Sequence, residues 1–274
     1  MKSMQVISTA IVIAATVGAA SQAGNSVVVR PAARVQFPGV VHRGMDPQQP
    51  GDIDCSSPAH WDGSTMYMFY STGHPFRSAG PDVLHLARPS QRVTFDNEAT
   101  WTMGARWIEA THKVADGKLF MWYHNEPPLP GGRTAPRIGA MVSTDDGLNW
   151  RDLGIIMEAP AGSNNEASAN HYFVGGNGDF IVIADRQNKY LYCYTSTYNK
   201  DMGEQGVAVA RMRYEDREAP VGRMLKWHKG AWTEPGIGGH VTPFLAARID
   251  WHRPDADAFW GPSIHWRSEE HTSE

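Results

Sequence analysis

Two cysteines, Cys55 and Cys193, are all that this 274-residue chain contains, too few for a disulfide framework. Cys193 stands in Tyr190-Leu191-Tyr192-Cys193-Tyr194, where a small buried thiol suits a strand. Basic clusters are missing as well. The formal net charge is −4, with no electrostatic footprint for nucleic acid, so a polyanion partner is not expected. Long apolar runs are lacking except over residues 6–17, which fall short of the ~20 residues a membrane-spanning helix needs. No extended segment carries the helical period, so nothing competes with a strand reading.

What the chain does have is aromatic and turn-forming residues: 10 Trp, 9 Tyr, 9 Phe, 27 Gly and 18 Pro. Aromatic side chains suit half-buried strands and the walls of sugar sites. Lys2, the apolar stretch 6–17 and Ser21-Gln22-Ala23 read as a signal peptide over residues 1–23. They predict a secreted or periplasmic protein with no integral membrane span after cleavage. Residues 24–50 are expected to form an N-terminal strand or linker, and 51–266 the folded domain. Arg267-Ser268-Glu269-Glu270-His271-Thr272-Ser273-Glu274 back-translates codon by codon into a sequencing adapter. Residues 267–274 are therefore expected to be foreign, with the natural chain continuing past Trp266.

Within 51–266 a repeat emerges. The first copy runs from Asp54 to Trp61, turns at Asp62-Gly63 and continues in Met66-Tyr67-Met68-Phe69-Tyr70. The second has Trp107 to Val114, a turn at Asp116-Gly117, then Leu119-Phe120-Met121-Trp122-Tyr123. The third is read as Glu166 to Val174, a glycine-rich turn over 175–178, then Phe180-Ile181-Val182-Ile183-Ala184. A fourth opens at Phe259-Trp260-Gly261-Pro262-Ser263-Ile264-His265-Trp266. An Asp-Gly between two apolar runs signals a hairpin, because glycine supplies the positive φ of the turn. Third strands are expected over 83–87, 138–142 and 206–210. Segments around Trp101, Trp150 and Trp227 or Trp232 close each unit. Four short strands per unit of about fifty residues predict an all-β chain of propeller blades, about three and a fraction of them here.

Each complete unit carries an acid near the start of its innermost strand: Asp54, Glu109 and Glu166. In a propeller these starts meet at one mouth of the central channel. Carboxylates crowded in a shielded site are driven apart in pKa, the division of labour that glycosidic hydrolysis requires.

The repeat resembles the five-bladed propeller of family-43 glycoside hydrolases, arabinanases and levansucrase or invertase relatives. The resemblance spans about residues 50–266 and implies five blades in the full-length protein. It also implies a carbohydrate substrate and roles for three residues: Asp54 as general base, Glu109 as the acid tuning its neighbours, Glu166 as general acid. The chain departs from that pattern in having Glu rather than Asp in the second unit and no Pro after Asp54, which leaves Asp52 as a reserve base. A sialidase-like hydrolase is the alternative within enzymes; it requires a tyrosine nucleophile and an arginine cluster, for which Arg77, Arg137 and Arg186 are candidates. A non-catalytic carbohydrate-binding propeller is the alternative outside them.

The rim that carries the acids is expected to carry the second-to-third loops. These place His74, Arg77, His124, Asn125, Asp185 and Arg186 as substrate-binding candidates, because forked donors suit sugar hydroxyls. Trp260 is placed to stack on a sugar ring. His60, His112, His171 and His265 recur at equivalent strand positions. They read either as packing elements or as a ring around water or a structural metal ion; no other cofactor is expected. Ser143-Thr144-Asp145-Asp146-Gly147-Leu148-Asn149-Trp150 resembles the Asp-box of sialidases, a structural turn on the face opposite the acids.

Overall fold

The computed structural model describes residues 35–256 and 259–266. The predicted signal peptide, part of the N-terminal segment and residues 267–274 lie outside them. Among the described residues no helix is long and apolar enough to cross a membrane.

The strands follow in chain order as β1 (Ala59–Asp62), β2 (Thr65–Ser71), β3 (Pro75–Gly80), β4 (Gln91–Arg92), β5 (Thr94–Phe95), β6 (Ala105–Lys113) and β7 (Leu119–Glu126). The small hairpin β8 (Pro128–Leu129) and β9 (Arg133–Thr134) precedes β10 (Arg137–Ser143) and β11 (Asn149–Met157). Then come β12 (Asn177–Ala184), β13 (Tyr190–Thr197), β14 (Gly206–Arg213), β15 (Leu225–His228), β16 (Ala231–Pro235) and β17 (Leu245–Ala246). Three antiparallel meanders result: β1-β2-β3-β4, β6-β7-β10-β11 with β5 on its outer edge, and β12-β13-β14-β15-β16. They are successive blades of a β-propeller, each with its first strand innermost.

The alternation of side chains shows how the blades stack. Along β7, Phe120 and Trp122 face blade three, where they meet Phe180, Val182, Leu191 and Cys193. Leu119, Met121 and Tyr123 face blade one, where they meet Phe69. Both faces of blade two are dry, and every residue of β7 except Glu126 is buried. In β13 only one face is dry: Leu191 and Cys193 are buried, whereas Tyr190, Tyr192 and Tyr194 remain half-exposed. Both cysteines are free thiols.

Blade two matches the expected strands. Blade one differs in its third strand, which is β3 and not residues 83–87. Gly73, at φ +84°, turns the chain directly into Pro75, and Phe76 pairs with Tyr70. Residues 83–87 lie in the following loop, where the Asp82 carboxylate accepts from the Leu84 and His85 N–H groups. Blade three differs by a whole strand. Residues 166–174 form no strand, and the innermost strand is β12. The hairpin turn lies not at the glycines but after Asp185, whose carboxylate caps it by accepting from Lys189 and Tyr190 N–H. Asn188 takes the left-handed position there, at φ +51°, a conformation asparagine tolerates better than most residues.

The Ser143–Trp150 turn is held as its sequence requires. Asp145 Oδ1 accepts from the N–H groups of Leu148 and Asn149, and Trp150 Nε1 donates to the Gly147 carbonyl at 2.9 Å. Gly147 has φ +82°, and a Cβ there would stand 2.4 Å from the Phe69 ring of blade one. The turn lies between β10 and β11, at the end of the blade where β6 finishes and β7 begins.

Phe259 to Trp266 forms no strand among the described residues, yet it runs beside β12. Its start is tied by Ser196 Oγ donating to the Phe259 carbonyl, and its end by Trp266 Nε1 donating to the Ala184 carbonyl at 2.9 Å. It occupies the place expected for the opening of a fourth blade.

Lys226, fully buried in β15, ties blade three to its flanking loops. Its ammonium donates to the carbonyls of Glu158 at 2.7 Å and Gly239 at 2.8 Å. Burial pushes it down to about 8, against the opposing pull of Glu204, Glu158 and Glu234. Between that value and the ordinary lysine value the unfolded chain binds more protons than the folded one, so stability rises with pH across this window. Wild-type protein is therefore expected to gain on Lys226→Met by about 1.4 kcal/mol per pH unit from pH 8 upward. Urea unfolding at stepped pH checks this; a constant difference between the two proteins would show that the amine stays charged.

Candidate functional site

The site is built where the heads of the innermost strands approach one another. The lead-in to β1 runs beside the end of β2, with Asp54 N–H donating to the Ser71 carbonyl at 2.9 Å. Its next residues touch blade two: Ser56 N–H donates to Glu109 Oε2 at 3.3 Å. Cys55, in the left-handed region at φ +62°, sends its thiol to within 3.8 Å of Asp179 Oδ1 on β12. Ligand-capable atoms of Cys55, Glu109 and Asp179 all lie within 4.8 Å of one another. Asp54 is exposed beside them and accepts the Cys55 N–H at 3.0 Å.

Beneath the acids lies His124 of β7, 1% exposed. Its Nδ1 is 3.2 Å from Asp179 Oδ1 and its Nε2 3.3 Å from Glu126 Oε1. Burial works against a charge on this ring, but the two carboxylates outweigh it and lift the imidazole to about 9. Burial, then the charge of Asp179, pushes Glu109 up to about 7. Packing around its sulfur, then Glu109, Asp179 and Asp54, drives the Cys55 thiol far above its ordinary value, although the residue as a whole is exposed. Glu109 Oε1 accepts no hydrogen bond of normal geometry, and the hydroxyl of Tyr198, 2% exposed, likewise has no partner.

An aromatic wall adjoins the acids. The Phe173 ring lies 5.8 Å from His124 and 5.4 Å from Tyr198, and Tyr198 stacks on Trp251 at 4.2 Å. Tyr172 and Trp260 meet edge to face at 5.1 Å and are 62% and 47% exposed. Gly261, next to Trp260, lies against Asp179.

The structure thus groups Asp54, Glu109, His124 and Trp260 from the residues singled out by sequence and adds Asp179, Cys55, Tyr198 and Tyr172. Glu166 is not among them. It is exposed in the loop before β12, and Asp179 stands at the blade-three position. A signal for Asp179 was present: it precedes the left-handed Asn188 by nine residues, as Asp54 precedes Gly63. Asp52, the reserve base, is exposed and pairs with His42 at 3.3 Å.

Other candidates are engaged elsewhere. Arg77 lies inside β3, not on a loop, and donates to the carbonyls of Asp145 and Asp146 across the seam between blades one and two. Asn125 is buried, donating to the Met103 and Ala105 carbonyls. His74 bonds the Val93 carbonyl at 2.9 Å. Asp185 and Arg186 belong to a first-to-second turn, at the end of the blade away from the acids, where Arg186 lies over the Trp266 ring. Arg137 pairs with Asn125 and Glu158, so the three arginines form no cluster at the acids, although Tyr198 is close.

The four histidines do not form a ring. His60 meets Asp146 at 3.3 Å, and His112 meets the Tyr214 hydroxyl at 2.8 Å. His171 and His265 are exposed. A cavity of about 620 Å³ between Thr94, Lys118, Ser143 and Trp150 lies at the Asp145 end and shares no residue with the acid cluster.

No protein-family profile matches this chain, and no curated protein matches it. Solved structures do. An exo-β-1,3-galactanase from Clostridium thermocellum matches 69% of this chain at 12% identity and TM-score 0.42, over 39% of its own length. A glycosyl hydrolase from Bacteroides ovatus matches 72% at 14% identity and TM-score 0.43, over 54% of its length. An α-L-arabinanase from Cellvibrio cellulosa matches 72% at 14% identity and TM-score 0.39, over 59% of its length. The chain therefore spans 39 to 59% of the length of these three proteins.

Proposed function

We propose that this chain is the propeller of an exported hydrolase that cleaves glycosidic bonds in an oligo- or polysaccharide by general acid–base catalysis. The observation that carries the reading is the convergence of Asp54, Glu109 and Asp179, from three successive blades, beside the exposed Tyr172–Trp260 pair.

Two carboxylates that flank a glycosidic bond stand about 5–5.5 Å apart in retaining enzymes and about 6.5–9.5 Å apart in inverting ones. Oxygens of Glu109 and Asp179 lie within 4.8 Å of each other, so the two carboxylates share one site. They act as one unit: Glu109, 1% exposed, holds the proton that the pair shares, and Asp179, more open and fixed by His124, passes it to the leaving oxygen. Asp54, exposed at the mouth, activates the water. The Tyr172 and Trp260 rings offer apolar faces to the C–H surface of a sugar ring. Export is supported by Lys2, the 6–17 stretch and Ser21-Gln22-Ala23.

A reducing-sugar assay over a panel of plant, algal and microbial glycans is expected to find a substrate whose turnover falls with Trp260→Ala through a raised KM. Glycan binding that Trp260→Ala abolishes, with no hydrolysis of any panel member, would replace the enzyme reading with that of a carbohydrate-binding propeller.

A further inference from the structure

We propose that Cys55, Glu109 and Asp179 bind a thiophilic divalent cation of the Zn²⁺ class, and that the ion silences the acid when bound. The silencing clause rests on the hydrolase reading above; the site itself does not. A thiolate and two carboxylates form a donor set of the kind zinc accepts, and the thiolate selects against Mg²⁺ and Ca²⁺. Tetrahedral zinc, with Zn–S about 2.3 Å and Zn–O about 2.0–2.2 Å, places sulfur and oxygen ligands about 3.6 Å apart. Cys55 Sγ and Asp179 Oδ1 stand 3.8 Å apart.

The surroundings point the same way. The Tyr198 hydroxyl is 2% exposed and lacks a hydrogen-bond partner. It adjoins the cluster through Gly178, the neighbour of Asp179, where an added Cβ would stand 2.7 Å from it. A buried donor left without a partner costs about 1–3 kcal/mol, and a water on the ion's open position would accept its hydrogen bond. His124 holds the same oxygen of Asp179 at 3.2 Å, a hydrogen bond of the kind that orients a metal-ligating carboxylate. Cys55 is exposed, which gives the ion a way in.

Binding releases the thiol proton and any proton on Glu109, and the ion takes up the electron pairs they leave. A metal-bound Glu109–Asp179 pair has no proton to give to a leaving oxygen. Proton and ion compete for the same atoms, so metal occupancy and hydrolysis exclude each other.

Co²⁺ titration of the metal-free protein is expected to give a saturable near-ultraviolet thiolate-to-metal charge-transfer band that Zn²⁺ displaces. The band should vanish in Cys55→Ser and persist in Cys193→Ala. Asp179→Asn should weaken Co²⁺ affinity at least about tenfold, with far-ultraviolet circular dichroism confirming the fold of each variant. A missing band in folded wild type, or an equal band in Cys55→Ser, overturns the site. Hydrolysis in EDTA that Zn²⁺ leaves untouched overturns the silencing clause. Charge transfer from Cys55 in a protein that hydrolyses nothing in EDTA supports the site and overturns the hydrolase reading instead.

Discussion

Glu109→Gln and Asp54→Asn are each expected to cut glycan hydrolysis by ~10²–10⁴-fold, the usual contribution of a positioned acid or base. Glutamine fills the volume of Glu109 and still accepts the Ser56 N–H at its oxygen, but it has no proton to deliver. Asparagine at position 54 keeps an acceptor for the Cys55 N–H and cannot take a proton from water. Substrate binding is expected to survive both changes, because the Tyr172–Trp260 pair is untouched. Glu166→Gln is the control: this side chain is exposed in a loop outside the cluster, so its removal should leave the rate alone. Initial rates measured in EDTA on the best substrate of the panel decide the matter. Full activity in both Glu109→Gln and Asp54→Asn, or its loss in Glu166→Gln, would remove the acid–base assignment.

Trp122→Ala carries the largest expected effect on stability. Its indole is 1% exposed in the middle of β7, and it packs with Ile138, Ala140 and Phe180 where blade two meets blade three. Emptying such a site costs about 3–5 kcal/mol, because the neighbours close only part of the void. Folded domains hold about 5–15 kcal/mol in total, so the loss is a large share of it. Trp61, 52% exposed, sets the comparison: its replacement by alanine should stay within about 0.5 kcal/mol. Urea midpoints followed by far-ultraviolet circular dichroism distinguish them. A Trp122→Ala shift no larger than that of Trp61→Ala would mean that the blades do not dock through this face.

The propeller architecture was legible because its signals are local. Asp62-Gly63 and Asp116-Gly117 mark hairpins that exist in the structure, and the alternation along Leu119-Phe120-Met121-Trp122-Tyr123 describes a strand buried on both sides. Blade three was misframed because the glycines at 175, 176 and 178 look more like a hairpin turn than Asp185-Arg186-Gln187-Asn188 does. That single displacement moved the acid from Asp179 to Glu166 and put Asp185 and Arg186 on the wrong rim. Arg77 was misplaced by a different route. Val83 and Leu84 have stronger strand propensity than Pro75 to Gly80, yet the ladder with β2 and the burial of Tyr70 decide the pairing. The contacts of His124 with Asp179 and of Cys55 with Glu109 join different blades, and no sequence interval announces them.

The acids belong to three separate hairpins, each of which holds itself together by short-range pairing. None of the three owns the site. Asp54 and Glu109 become neighbours only when blade one docks on blade two, through Ile108 N–H donating to Ser71 Oγ at 3.0 Å. Glu109 and Asp179 become neighbours only when blade three docks in turn. The acid cluster is therefore a property of two seams rather than of any blade. A substitution in the packed layer between blades reaches the acids without touching one, because rotating a hairpin by a few degrees moves the carboxylate it carries.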